Sequence, residues 1–452
     1  MKKAVSQITI LFIILVLTAC NQPANDVETG LDDYVLTESN EAETETSLVH
    51  GKDLDGQVQL PGKIAIITTE GAPALSYHTL GGNWLVELIE RYGSDNIIIY
   101  AWPGRFGNSA KQIDETVEMI NEIANNPDIR VLIINPAFHG TDHIVKVLNE
   151  QRGDIFVIYL EHRLTSDYVE RNSPFQSNTL LDAVSNANLI LDFDSSAMAK
   201  GFAQKSLELG ANTLVYFYDT SILWAWGEED FEESISRSVD EYERSYLHNL
   251  MKEKSEEIGL QFVEVDIAGA IQCGSSYHMF MSETIPQLIE NYGTDIVLFG
   301  LDNERVFWSW RTHGFIYIPM YPSWFELHPA HLAIELPLVD GSNYLHGAVH
   351  GAANLVEEIR KDLDERGLLG RIASLPISPH LLFPLSAAEY SVRWMNGEVS
   401  KAGIDTYVLG QIMTEVIEEH TDLQHGVAIT TLYEEGVTYE NFILVLPDYL
   451  IY

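Results

Sequence analysis

The feature that most constrains this chain is an alternation that begins at Lys63, in which short apolar runs are followed by stretches whose apolar residues recur at helical spacing. Ile64-Ala65-Ile66-Ile67-Thr68 is followed by Tyr77, Leu80, Trp84 and Leu88 at i, i+3, i+7 and i+11, and then by Ile97-Ile98-Ile99-Tyr100. Ser109 with Gln112 three residues on is a capping-box signature, and Ile113, Val117, Ile120 and Ala124 form one stripe behind it. Apolar runs at 131–134 and 156–160, with a helix expected over 142–150, repeat the scheme. A second round runs through 189–194, a helix closed by Leu209-Gly210, 214–218, a long helix over 234–258, and strands at 262–267 and 296–301. Runs that are apolar at every position are buried on both faces, which a parallel sheet covered by helices provides. The pattern therefore predicts doubly wound α/β sheets. Beyond them, helices are expected over 344–366, 387–395 and 407–419, and a closing strand pair at 427–432 and 442–446.

At 452 residues the chain exceeds what one hydrophobic core organises, so two lobes are expected. An internal echo agrees. Leu88-Ile89-Glu90-Arg91-Tyr92-Gly93-Ser94-Asp95 returns as Leu288-Ile289-Glu290-Asn291-Tyr292-Gly293-Thr294-Asp295, and Leu207-Glu208-Leu209-Gly210 is a weaker third copy. Each reads as a helix whose C′ glycine turns left-handed and sends the chain back into a sheet, a turn that any α/β protein can contain.

Residues 1–19 read as a processing signal: Lys2 and Lys3, an apolar run over 8–17 broken only by Thr9, then Leu17-Thr18-Ala19-Cys20. That box matches the bacterial lipoprotein signal, with Cys20 as the lipidated residue and new N-terminus. Several acyl chains at ~0.8 kcal/mol per buried methylene would anchor it stably. Cys273 is then the one remaining thiol and is expected to fill core space. Residues 20–60 are expected to form a solvated acidic tether; 21–56 holds ten acids and one lysine. Overall, 67 acids against 26 bases give −41, and removal of 1–19 takes two lysines and no acid, leaving −43. Nucleic-acid backbones and anionic lipid surfaces are excluded as partners of the body, whose charge instead fits a saline habitat.

The lipobox, the tether, the Lys-Ile-Ala-Ile-Ile opening strand and Asp194-Ser195-Ser196-Ala197-Met198-Ala199-Lys200-Gly201 leading into a helix closed by Leu209-Gly210 carry a family resemblance. Over roughly 60–450 the chain resembles an uncharacterised family of bacterial lipoproteins with a type I periplasmic-binding-protein fold. The resemblance implies two Rossmann-like lobes with a hinge and an interlobe cleft, closing on a small ligand that is delivered to an ABC-type permease or presented to a membrane sensor. The expected partition is 61–190 with about 325–385 for the first lobe, and 191–324 with about 386–452 for the second. The chain departs from sugar-binding relatives in an insertion near 224–233 and in its extended tail.

No Gly-x-Ser-x-Gly, Walker loop, Gly-x-Gly-x-x-Gly, His-Glu-x-x-His or Cys-x-x-Cys occurs, so no enzyme chemistry and no cofactor are expected. His328 and His331, with the helical pair His346 and His350 and a carboxylate such as Glu335, form the best metal candidate, against which stands ordinary packing of some of fifteen histidines. Trp308 and Trp310, two apart, cannot share one helix face, which sets one of them near a cleft or interface. Ligands of parallel α/β sheets bind beyond the carboxyl ends of strands. Those ends supply Glu70, Trp102, Asn135, Glu161, His162 and Arg163 in the first lobe, and Asp194, Asp219, Thr220, Asp302 and Asn303 in the second. Carboxylates and amides accept hydrogen bonds from hydroxyls or amines, and an indole can stack on a ring. The expectation is an extracytoplasmic, lipid-anchored protein binding a hydroxyl-rich or cationic solute. Its rival is a surface or sensor protein with a vestigial cleft that binds another protein.

Overall fold

Two parallel sheets realise this alternation. The structure is a computed structural model and describes residues 60–68, 83–102, 110–137, 141–161, 180–218, 239–267, 276–300, 310, 313–318, 352–400, 402–421, 425–434 and 436–452. The first sheet opens with β1 (Lys63–Thr68), followed by α1 (Asn83–Tyr92), β2 (Ile97–Ala101), α2 (Ala110–Asn125), β3 (Ile129–Asn135), α3 (Thr141–Arg152), β4 (Phe156–Leu160), α4 (Leu180–Asn186) and β5 (Leu189–Phe193). Helix α5 (Ser195–Glu208) leads to β6 (Thr213–Tyr218), α6 (Val239–Ile258), β7 (Gln261–Asp266), α7 (Ser276–Tyr292) and β8 (Ile296–Phe299). The remainder is α8 (Ala352–Glu365), β9 (Ala373–Ser374), α9 (Pro379–Asn396), α10 (Thr406–Thr421), β10 (Val427–Glu434), β11 (Val437–Pro447) and β12 (Leu450–Ile451).

The first sheet has the order β10-β11-β5-β4-β3-β1-β2, parallel except for β10, which runs antiparallel to β11. The chain leaves β1 to one side for β2 and returns to the other side for β3. That reversal makes the β1/β3 boundary the topological switch point. Helix α1 covers one face of this sheet through Trp84, Leu85, Leu88 and Tyr92, while Ile144, Val145 and Leu148 of α3 cover the other. The second sheet has the parallel order β7-β6-β8. It is extended by parallel bridges Val297↔Ile316 and Tyr317↔Ile372 and by antiparallel pairing of β9 with β12.

Gly93, Gly210 and Gly293 all take positive φ, so the echoed motif is the left-handed helix stop that its sequence implies.

The chain passes between the sheets at three described places. It leaves β5 for α5 and β6, it passes from β9 through buried Leu375 and Ile377 into α9, and it goes from β11 through Tyr449 to β12. These passages correct the expected partition. The closing strand pair, assigned to the second lobe, joins the first sheet, because Phe442–Val445 pair in parallel with 190–193 of β5. Helix α8, assigned to the first lobe, packs on the second sheet through Val356, Ile359 and Leu363 beside Phe217 and Leu298. Helix α9 starts at Pro379, well before the expected 387, and lies on the first sheet, where Phe156 stacks on Trp394 at 4.8 Å. Pro379 occupies the first turn, where its missing N–H costs nothing. Trp310 is fully buried and stacks on Tyr317 at 5.8 Å, so it is core; Trp308 lies outside the described residues. Cys273, the four histidines of the metal candidate and Glu335 also lie outside them.

Candidate functional site

At the switch point of the first sheet, two apolar strands close on buried polar residues. Thr68 ends β1 and Asn135 ends β3; the two are register partners across the switch point and are 3% and 7% exposed. The switch point of a parallel α/β sheet is where ligands bind beyond the strand ends, which makes this edge the place to look for one. Beyond β4, Glu161 takes φ +50°, a conformation that side chains rarely adopt. Its N–H donates to the Leu191 carbonyl at 2.9 Å, which holds the turn. Strain of this kind costs about 1–3 kcal/mol and concentrates at functional sites.

The Glu161 carboxylate is 12% exposed and meets His380, 14% exposed, with Oε1 2.5 Å from Nδ1. Ser378 caps α9 by accepting from the His380 N–H at 3.3 Å, so the imidazole stands in that helix's first turn. Asp142, 4% exposed in the first turn of α3, sets its carboxylate charge beside the Tyr159 hydroxyl. Burial, followed by that charge, pushes the Tyr159 pKa well up.

Of the residues expected to bind ligand, Trp102, Asn135 and Glu161 therefore share one sheet edge. Trp102 does not offer a free ring face: it is 4% exposed and packs among Ile67, Ile120 and Ile134. Apolar neighbours on both strands draw the indole inward. Asp194 is a helix cap and follows β5 of the first sheet, not a strand of the second. Its Oδ1 accepts from the Ala197 N–H at 2.8 Å, its own N–H donates to Val445 O at 3.0 Å, and Thr430 Oγ1 approaches Oδ2 at 3.4 Å. Cys20, Glu70, His162, Arg163, Asp219, Thr220, Asp302 and Asn303 lie outside the described residues. Thr68 and His380 were missed. Thr68 had a signal, the one polar residue closing an apolar strand, whereas His380 reaches Glu161 only through the tertiary fold.

Among the described residues, one group brings metal-ligand donors together: Glu87, Glu419 and His420, all within 4.8 Å. Arg91 already bridges the two carboxylates at 2.6 and 2.8 Å. Both ring nitrogens of His420 face acceptors, Val416 O at 2.7 Å and Glu87 Oε2 at 3.0 Å. Two protein cations thus match two carboxylates, and the cluster is an ion-pair seam between α1 and α10, not a metal centre. It continues through Tyr92 and Arg393 to Glu389 of α9, at 2.6 and 3.1 Å, and from Arg393 to Glu415 at 2.9 Å.

Two doubly wound lobes with chain passages between them and polar strand ends at the switch point make up an α/β fold of the type I periplasmic-binding-protein and LacI-like kind. A proposed transcriptional regulator from Clostridium difficile 630 has a TM-score of 0.65 at 16% identity, covering 87% of this chain and all of that one. A sugar ABC transport system substrate-binding protein from Bordetella parapertussis 12822 has a TM-score of 0.40 at 10% identity, with coverage of 87% and 90%. A periplasmic binding protein/LacI transcriptional regulator from Alkaliphilus metalliredigens QYMF, complexed with D-xylulofuranose, scores 0.33 at 11% identity, with coverage of 75% and 92%. Residues 63–373 match the family described as Protein of unknown function (DUF3798), and the chain belongs to that family. No curated protein matches it. No described helix is long and apolar enough to cross a membrane.

Proposed function

We propose that this protein is an extracytoplasmic solute-binding lipoprotein, anchored through Cys20, that takes up a small hydroxyl-rich or cationic ligand between its lobes without converting it. Uptake through an ABC-type permease or presentation to a membrane sensor follows from that role. The observation that carries the reading is the polar floor at the switch point: Thr68 and Asn135 are buried side by side, with Glu161 just past the end of β4, the next strand along. These groups accept hydrogen bonds from hydroxyls and amines, and the Glu161 carboxylate disfavours an anionic solute.

The test is a thermal-shift and calorimetric screen of the purified protein against D-xylose, adenosine, putrescine and arginine, one from each class that such acceptors suit. A compound at a hundredfold over its Kd stabilises the native state by about 2.7 kcal/mol and raises Tm by several degrees. Silence across all four classes, with capture of another protein instead, would replace this reading with a protein-binding role. Anchoring is checked separately: Cys20→Ser should leave the signal uncleaved or free the protein from membranes, and normal processing with membrane retention would refute lipidation at Cys20.

A further inference from the structure

Glu161 cannot hold its own pose. Its backbone sits at φ +50°, and a glutamate side chain has several rotamers of similar energy. What fixes it is His380, 219 residues away in sequence, with Nδ1 against Oε1. Both Oε1 and the far nitrogen Nε2 of that histidine are closed off from solvent. The imidazole therefore stands behind the carboxylate. It also stands two residues past Ser378, the cap of α9, where the chain has just come over from β9 of the second sheet.

We propose that His380 is the positioning residue of the binding carboxylate: it takes Glu161 Oε1 and so leaves Oε2 aimed to accept a hydrogen bond from a ligand hydroxyl or ammonium group. The inference rests on the solute-binding reading above and adds to it the residue that sets the acceptor's direction. Because His380 follows directly on the second passage between the sheets, a shift of that passage moves the acceptor. The cleft is thereby competent only when the two sheets stand in one relation.

The closing experiment measures Kd for D-xylose, adenosine, putrescine and arginine with five proteins: the parent, His380→Asn, His380→Gln, Glu161→Gln and the Glu161→Gln/His380→Gln double variant. Asparagine places an amide N–H where Nδ1 lies, and glutamine places it where Nε2 lies. For whichever of the four the parent binds, His380→Gln should weaken binding at least tenfold and His380→Asn less than threefold. Glu161→Gln should also weaken it at least tenfold, and the double variant should be no worse than Glu161→Gln, since His380 acts only through Glu161. The ligand-free Tm is recorded for each, so that loss of fold is told apart from loss of aim. A parent that binds none of the four overturns the solute-binding reading and this inference with it. Binding by the parent with unchanged affinity in His380→Gln, or additive losses in the double variant, overturns the inference alone.

Discussion

Asp194 and His420 show how differently two polar side chains of this chain are used. Asp194 closes the first turn of α5, so Asp194→Ala should lower unfolding stability by about 1 kcal/mol, read from urea melts, while Asp194→Ser keeps most of it. His420 is governed by opposing effects: burial disfavours its charge, but the hydrogen bond and charge of Glu87, with the Val416 carbonyl, outweigh burial and raise its pKa. For Glu87, burial would raise the pKa, and His420 with Arg91 outweighs it and lowers it. A raised histidine stabilises fully below its ordinary value near 6.5 and ceases to as pH climbs through its folded pKa. A lowered carboxyl stabilises fully above its ordinary value near 4.5 and ceases to as pH falls through its folded pKa. The α1–α10 seam is therefore strongest between about 4.5 and 6.5. Stability should fall from pH 6 toward pH 9 by about 2 kcal/mol, the scale of one charge-assisted hydrogen bond. His420→Gln should flatten that limb, and an identical slope in the variant would assign the loss to other groups. At this scale the sequence puts Asn135 and Glu161 at strand ends, where they lie in the structure, because strand ends can be located from pattern alone. Asp194 also stands just past a strand end, and there it caps α5, as a carboxylate just ahead of a helix does whether or not a ligand is near.

 Elements were more legible than their partners. Among the described residues, the apolar runs locate ten of the twelve strands to within a few residues and miss β9 and β12. Those two, of two residues each, are too short to carry any periodicity. Which sheet a strand joins is decided by tertiary pairing. Nothing local in 437–447 says that it lies beside β5, nearly 250 residues earlier, so its lobe was misassigned. Helix α9 was read too short because Pro384 lies inside it and because its buried face runs almost all the way round. That burial makes it a keystone of the first sheet: Trp394→Ala should cost about 3–5 kcal/mol in urea unfolding, since the ring against Phe156 has no solvent-exposed alternative. Gly300, which follows β8 at φ +89°, offers a second check. A Cβ there would collide with the Phe217 carbonyl oxygen, so Gly300→Ala should destabilise the second sheet by more than 1 kcal/mol.

For the molecule as a whole, the −41 balance is the property that no single contact explains. Repulsion among carboxylates is screened within ~8 Å at 0.15 M salt, so Tm should rise between millimolar and molar NaCl. A flat or falling curve would mean that local pairs such as Arg393 with Glu389 and Glu415 already compensate it. The passage from β11 to β12 has a further consequence, for the order of events during synthesis. Residues 437–451 supply a strand to the first sheet and a strand to the second, against partners that emerged far earlier. Until the ribosome has released that stretch, β5 keeps an open edge and β9 has no antiparallel neighbour. Contacts of such sequence separation close slowly. A nascent chain of this design stays unfinished in both halves at once until that late segment emerges.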